Sequence, residues 1–419
     1  MTTPTLSETE TCFNSLTACC LLGTAFFLPI SLDIFSAFLF AAAALWAGKM
    51  AAARKILWKK TPLDKIIAVY VFFTALSILN SPDRNFSFYN YYNLMGKYIL
   101  TYYLLINNVN SLKQLTLFVR TLLASATLVI FYGFYQYFAG VDVSALLWVD
   151  ASQFPGLKTR IFSTLGNPNL LASFLVIILS LYLSLSFYAK RKSAKFCLLS
   201  LTVAAGFCLA LTYSRGLWLS LLATTFIYAK FYDKRIIWVL IPILAVIPFG
   251  GEEFAARAAS IINPADSSSA LRLALWNSTL CMILKEPLAG IGWGAYWLVY
   301  PQFDYFINDA SVIIYHAHNM YLNIAAETGL PGLLAFLAVL GSHIRLAFQV
   351  FSQTGNKWTK GLMLGVLASM TGIIVSGFTD YVLFSAQMSM LFWLLNAVVI
   401  ISWLLHSSHQ AKKCEGSLL

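Results

Sequence analysis

The chain has 419 residues, 59% of them hydrophobic and only 11% charged, with a mean hydropathy of +0.74. A soluble domain carries roughly a quarter charged residues, so the composition predicts an all-α polytopic membrane protein. The net charge of +11 does not point to nucleic acid, because the basic residues form short clusters between apolar runs, as membrane orientation requires; the seven cysteines contain no CxxC pair, which argues against a disulfide framework or zinc knuckle.

A helix needs about 20 apolar residues to cross the hydrocarbon. Twelve spans are predicted, near 13–31, 33–50, 64–81, 88–107, 115–139, 169–189, 196–213, 216–232, 236–250, 331–350, 360–378 and 386–405. The first run lacks a basic leader and a small-residue cleavage site, so it reads as a retained span. Nineteen of the 28 Lys and Arg residues fall in the even-numbered connections and the tail, and seven in the much longer odd-numbered ones. The positive-inside bias therefore places both termini in the cytoplasm and the odd connections outside. Three regions follow: residues 1–250 with nine spans, a large external loop at 251–330, and 331–419 with three spans and a short cytoplasmic tail. Within the loop, 268–286 reads as an amphipathic helix stopped by Pro287, and 318–328 as a second one before Gly329 and Pro331.

Taken in chain order, the first unusual residue is Lys97, mid-span in 88–107. An ionisable group at that depth faces a bundle interior or cavity, where a structural partner is as reasonable as a phosphate. Arg160 opens a run that ends Asn167-Pro168-Asn169, with Asn169 read as the cap of the sixth span. Arg215, in Ser214-Arg215-Gly216, sits where the eighth span begins. It is either an interfacial anchor or a diphosphate ligand, since a guanidinium fork matches phosphate oxygens. Arg272 lies on the predicted loop helix, where the plainer reading is a solvated face.

The run Gly290-Ile291-Gly292-Trp293-Gly294 resembles a phosphate cradle, but no strand precedes it. A tight turn returning the chain to the membrane fits it better. His316-Ala317-His318-Asn319 holds two of the chain's five histidines. A metal there needs a third ligand, with Asp304 or Asp309 as candidates. Acid–base chemistry needs only an imidazole near neutral pH, so no metal is assigned. Asn319, Asn323 and Glu327 follow at i, i+4, i+8 and form one polar stripe able to orient His318 or bind sugar hydroxyls. Asp380, in the last external connection, reads as an arginine partner or a solvated acid.

Those stretches (Arg160 to Asn169, Tyr213 to Gly216, and 270–332) resemble the O-antigen ligase and polymerase superfamily of bacterial envelope glycosyltransferases, closest to the ligase type. The resemblance implies transfer of a glycan from undecaprenyl diphosphate to an acceptor at the outer face of the inner membrane. It implies no cofactor, nucleotide sugar or metal. On its terms Arg215 and Arg272 bind the diphosphate, His318 is catalytic, and His316, Asn319, Glu327, Lys97 and Arg160 support them. Donor and acceptor would be lipid-linked partners within the membrane, the acceptor a glycolipid of the lipid A core type, and the loop would face the periplasm. The resemblance also admits a polysaccharide polymerase, although paired arginine–glycine motifs ten residues apart, expected of O-antigen polymerases, are missing. A small-anion transporter of the bicarbonate type is a further alternative. It would place its unusual residues at mid-membrane on broken helices, whereas here only Lys97 lies deep. A scaffolding membrane protein would not need the His-Arg-Arg set at all.

Overall fold

The computed structural model describes residues 6–140, 160–239, 267–304 and 313–416. Among these residues it is all-helical: α1 (Leu6–Phe27), α2 (Leu32–Ala53), α3 (Asp64–Ser77), α4 (Arg84–Asn108), α5 (Leu112–Ala139), α6 (Pro168–Phe187), α7 (Lys192–Ala210), α8 (Arg215–Phe231), α9 (Ser267–Lys285), the single turn α10 (Tyr296–Val299), α11 (Met320–Gln353), α12 (Lys357–Ser376) and α13 (Ala386–Gly416). Seven of them (α2, α5, α6, α7, α11, α12, α13) are long and apolar enough to cross a bilayer. Of the twelve predicted spans, eleven fall on helices. The ninth does not: 234–239 is a 3₁₀ turn, and the rest of that stretch lies outside the described residues.

Helix starts follow local chemistry. Ser31, Asp83 and Ser111 each accept a backbone N–H one turn ahead, satisfying donors that a helix N-terminus leaves open. The cap of α6 corrects the sequence reading. Asn167, not Asn169, accepts from the N–H groups of Asn169 and Leu170, with Pro168 in the first turn. A proline there loses no hydrogen bond and has its φ already set. Asn169 is thereby released for another task.

The most deeply buried spans are α6, α12 and α13, and α8 packs on the first two. Between lipid-facing helices there is no hydrophobic force to bring them together, so association depends on close packing of small residues and on interhelical hydrogen bonds. Gly361, Gly365 and Gly372 of α12 press on α6, and a Cβ at Gly365 would lie 3.1 Å from the Leu181 Cα. The Ser369 hydroxyl donates to the Ile177 carbonyl at 3.2 Å, and Tyr228 of α8 to the Ser180 carbonyl at 2.8 Å.

The predicted helix at 318–328 is present as the first part of α11. It breaks at Gly329, which takes φ 72° and ψ 171°, before Pro331. That break frees two carbonyls, since Pro331 has no N–H and Leu330 turns its own to the Pro287 carbonyl at 2.8 Å. The glycine run supplies the replacements. Ile291 N–H donates to Ala326 O at 2.8 Å and Gly292 N–H to Glu327 O at 3.1 Å. Backbone must lie on backbone for this: a Cβ on Gly290 would come 2.5 Å from the Glu327 carbonyl, and one on Gly292 2.7 Å from the Ser81 Cα. Both take positive φ, which glycine adopts without strain. The run is a clamp on a broken helix.

Candidate active site

Five helix ends meet at one end of the bundle: the starts of α6, α8, α11 and α13 and the end of α12. The connection between α12 and α13 lies at their centre. Met320 N–H donates to the Gly377 carbonyl at 2.8 Å and the Asn319 side chain to the Phe378 carbonyl at 3.2 Å, so the start of α11 is fastened to it. Gly216 fits the start of α8 against the same connection, because a Cβ there would lie 2.5 Å from the Thr379 hydroxyl.

Asp380 is the hub. It is only 8% exposed, and its Oδ1 lies 3.1 Å from His318 Nδ1. The same oxygen accepts the Tyr381 N–H at 2.8 Å, while Oδ2 accepts from the Asn169 amide at 3.2 Å. Asn169 Oδ1 in turn accepts from the Ser214 hydroxyl and, at 3.4 Å, from Arg160 Nη2. Arg160 also donates from Nε to the Thr212 carbonyl at 3.0 Å. A continuous polar path therefore runs from Arg160 and the start of α8 through Asn169 and Asp380 to His318. Burial pushes the Asp380 carboxyl up, but the His318 hydrogen bond and charge outweigh it. With help from the charges of His316 and Arg272, they hold it below the usual carboxylate range.

His318 takes φ 48°, a left-handed conformation uncommon for a side chain of its size, and Tyr213 (φ 54°) and Ser163 (φ 49°) near the same helix ends do likewise. Such backbone persists only where surroundings over-determine it. For His318 the surroundings are its neighbour: its N–H donates to His316 Nδ1 at 3.2 Å, with the rings 4.3 Å apart. That bond needs an unprotonated His316 Nδ1. Burial, with the charge of His318, lowers the His316 pKa to about 4 and keeps the ring neutral.

Arg272 does not sit on a solvated face. It lies one turn before Leu275 and two before Thr279, both fully buried, and that spacing puts all three on one stripe. The Thr279 hydroxyl meets the Tyr296 hydroxyl at 2.8 Å, fixing α9 against α10. The outward face of α9 is not polar either, since Leu273, Leu280 and Leu284 are exposed along it. Arg215 opens α8 beside Ser214. Asn319 caps α11, and its stripe turns inward: Asn323 accepts the Ala317 N–H at 2.9 Å, and Glu327 is 5% exposed.

Two sequence expectations fail here. Lys97 is not part of the cluster: its ammonium donates to Ser36 of α2 at 3.3 Å and lies 5.8 Å from the Phe40 ring centre. Asp304 accepts from the Tyr300 hydroxyl at 3.0 Å, Asp309 lies outside the described residues, and among the described residues another acid stands beside the histidines. It is Asp380, and the ligand atoms of His316, His318 and Asp380 all fall within 4.8 Å of one another. Asp380 had one sequence signal, an acid in a short connection between two apolar spans, but nothing local says which residue it meets 62 positions away.

The O-antigen ligase family model matches residues 200–337. No curated protein matches the chain. The matched stretch contains Ser214, Arg215, Arg272, the glycine clamp, both histidines and Glu327, so the resemblance read from those motifs holds; Arg160, Asn169 and Asp380 lie outside it.

Proposed function

We propose that this membrane protein is an O-antigen-ligase-type glycosyltransferase, taking a glycan from undecaprenyl diphosphate and joining it to an acceptor sugar at the outer face of the inner membrane. The observation that carries the reading is His318 held through Nδ1 on a buried carboxylate, with the Arg272 charge acting on the same carboxylate, inside or against the stretch that matches O-antigen ligase. Asp380 favours the tautomer with the proton on Nδ1, which leaves Nε2 free to accept one.

In the proposed reaction an acceptor hydroxyl attacks the anomeric carbon. Its proton passes to His318 Nε2, the new C–O bond forms, and the bond to the diphosphate oxygen breaks with its electron pair leaving on undecaprenyl diphosphate. One displacement inverts that carbon. Negative charge grows on the departing diphosphate, and Arg272 and Arg215 would stabilise it more in the transition state than before, which is the part that raises the rate. Helix starts at α6 and α8 add favourable potential for an anion. The match and the two arginines favour this over transport, because the polar groups gather at helix ends and Lys97, the deep charge, is engaged on α2.

The test is purified protein reconstituted with undecaprenyl-diphosphate-linked glycan and lipid A core, without ATP or divalent metal. Glycan on the core with release of undecaprenyl diphosphate is the expected result, and His318→Ala should lower the rate ~10²–10⁴-fold, the usual worth of a general base. Lengthening of the lipid-linked glycan instead would make it a polymerase. Undiminished transfer by the His318 variant would overturn the mechanism.

A further inference from the structure

Beside the His318–Asp380 pair lies a cavity of about 500 Å³, within the size range of small-molecule sites. It opens between α3, α4, α11 and α13, under the glycine clamp and residues 313–315. We propose that it binds a sugar ring of the acceptor saccharide, an assignment that rests on the glycosyl-transfer reading and adds the place where the acceptor sits.

The lining has the two surfaces a sugar needs. Phe86, Trp293, Trp297, Tyr315 and Phe384 present aromatic rings, against which the C–H face of a pyranose packs. Trp297 is set between Phe86, at 5.7 Å edge-to-face, and Tyr315, at 6.4 Å. Asn90, Tyr98, Ser389 and Glu327 are the polar residues that line the same space. Glu327 is 95% buried, its Oε1 is sealed and has no hydrogen-bond partner, and the backbone at Gly294 and Tyr296 holds its carboxyl. A buried carboxyl oxygen with no partner is costly, and a small turn of the side chain toward the cavity would let a sugar hydroxyl donate to it and remove that cost. An isoprenoid tail would leave it unpaid, so the polar lining argues for a saccharide.

The path of contacts argues for the acceptor over the donor. Phe384 lies 4.8 Å from the His316 ring and Tyr381 6.2 Å. Both line the cavity, and the Tyr381 N–H bonds Asp380. Along the sequence Ser214, Asn169, Asp380, His318, His316, Phe384, the start of α8 stands at one end and the cavity at the other. A diphosphate held near Arg215 and a sugar held under Trp297 would approach His318 from its two sides.

The test is calorimetric titration of the protein in nanodiscs with a panel of delipidated lipopolysaccharide-core oligosaccharides and, separately, with undecaprenyl diphosphate. Wild type should bind at least one oligosaccharide saturably. Trp297→Ala and Glu327→Gln should weaken that binding by ~10-fold or more, as expected when a stacking face or a paired polar group is lost. Trp297→Phe, which keeps an aromatic face, should bind within about threefold, and all three variants should bind undecaprenyl diphosphate like wild type. No saccharide binding by wild type, wild-type affinity in Trp297→Ala, or a loss falling on undecaprenyl diphosphate would each overturn the assignment. Saccharide binding that survives alongside a complete absence of transfer would instead discard the glycosyl-transfer reading and keep the site.

Discussion

The seam of α6 with α12 and the junction at the starts of α6, α8, α11 and α13 are built from opposite materials. The seam is glycine, serine and aliphatic side chains in ordinary helical backbone, with its few hydroxyls returned to nearby carbonyls. The junction collects a buried aspartate, a buried arginine, a neutral histidine and three non-glycine residues at positive φ. The first obeys the usual packing rules and the second breaks local ones, the pattern expected if the junction carries the proposed chemistry. Substitutions in the two should therefore fail differently, one in rate and the other in folding.

The largest effect is expected at Asp380→Asn. Its amide can keep the contacts of the 377–385 connection but no longer selects the His318 tautomer or stabilises the imidazolium. Turnover should fall ~10²–10⁴-fold, while undecaprenyl diphosphate binding and thermal stability stay within a small factor of wild type. A variant that unfolds, or one that turns over normally, would erase the proposed division between the two regions. Gly365→Leu should do the reverse. Overpacking a filled interface costs ~1–3 kcal/mol, read as a lower melting temperature in detergent, with near-normal turnover per folded molecule.

A smaller effect sharpens the picture of the junction. His316 is held near pKa 4 in the folded protein against an ordinary 6.5, so between those values the unfolded chain binds more protons. Stability is then complete above pH 6.5 and declines as pH falls toward 4, by on the order of 1–2 kcal/mol for a partly exposed ring. Asp380, depressed, adds its own loss only below the ordinary carboxylate range. Melting temperatures from pH 7.5 to 4.5 should slope downward in wild type and flatten in His316→Asn, whose turnover should drop ~10-fold through a loosened His318 backbone.

The two regions were also unequally legible in the sequence. Apolar runs and basic clusters located the helices, because membrane thickness and the positive-inside bias act on contiguous stretches. The break at Gly329 and Pro331 was readable because glycine and proline stop a helix locally. The clamp was not, since only the fold reveals that Gly290 and Gly292 must lie on the carbonyls of 326 and 327. His318 and Arg272 were singled out through motif resemblance, yet the stripe that turns Arg272 inward depends on what α9 packs against. Asn169 was seen and misassigned, and Asp380, read as an arginine partner or a solvated acid, feels the Arg272 charge but bonds His318, which the reading missed. Each offers a short side chain with several plausible local uses, and its partner lies scores of residues away.

Lys97 gives the smallest effect and the most economical check on where the site ends. Sequence logic made it a supporting residue because a charge at that depth is expensive. Its cost is met on α2, by the Ser36 hydroxyl at 3.3 Å and the Phe40 ring, and exposed or half-exposed pairs of this kind contribute only a few tenths to ~1 kcal/mol. Lys97→Met keeps the length and apolar stem of the side chain. It should shift the melting temperature by a degree or two and leave turnover and undecaprenyl diphosphate affinity within about twofold of wild type. A tenfold loss of either would extend the working site from the helix ends into the middle of the bundle. The proposed contrast between a passive interior and a reactive junction at the helix ends would then have to be redrawn.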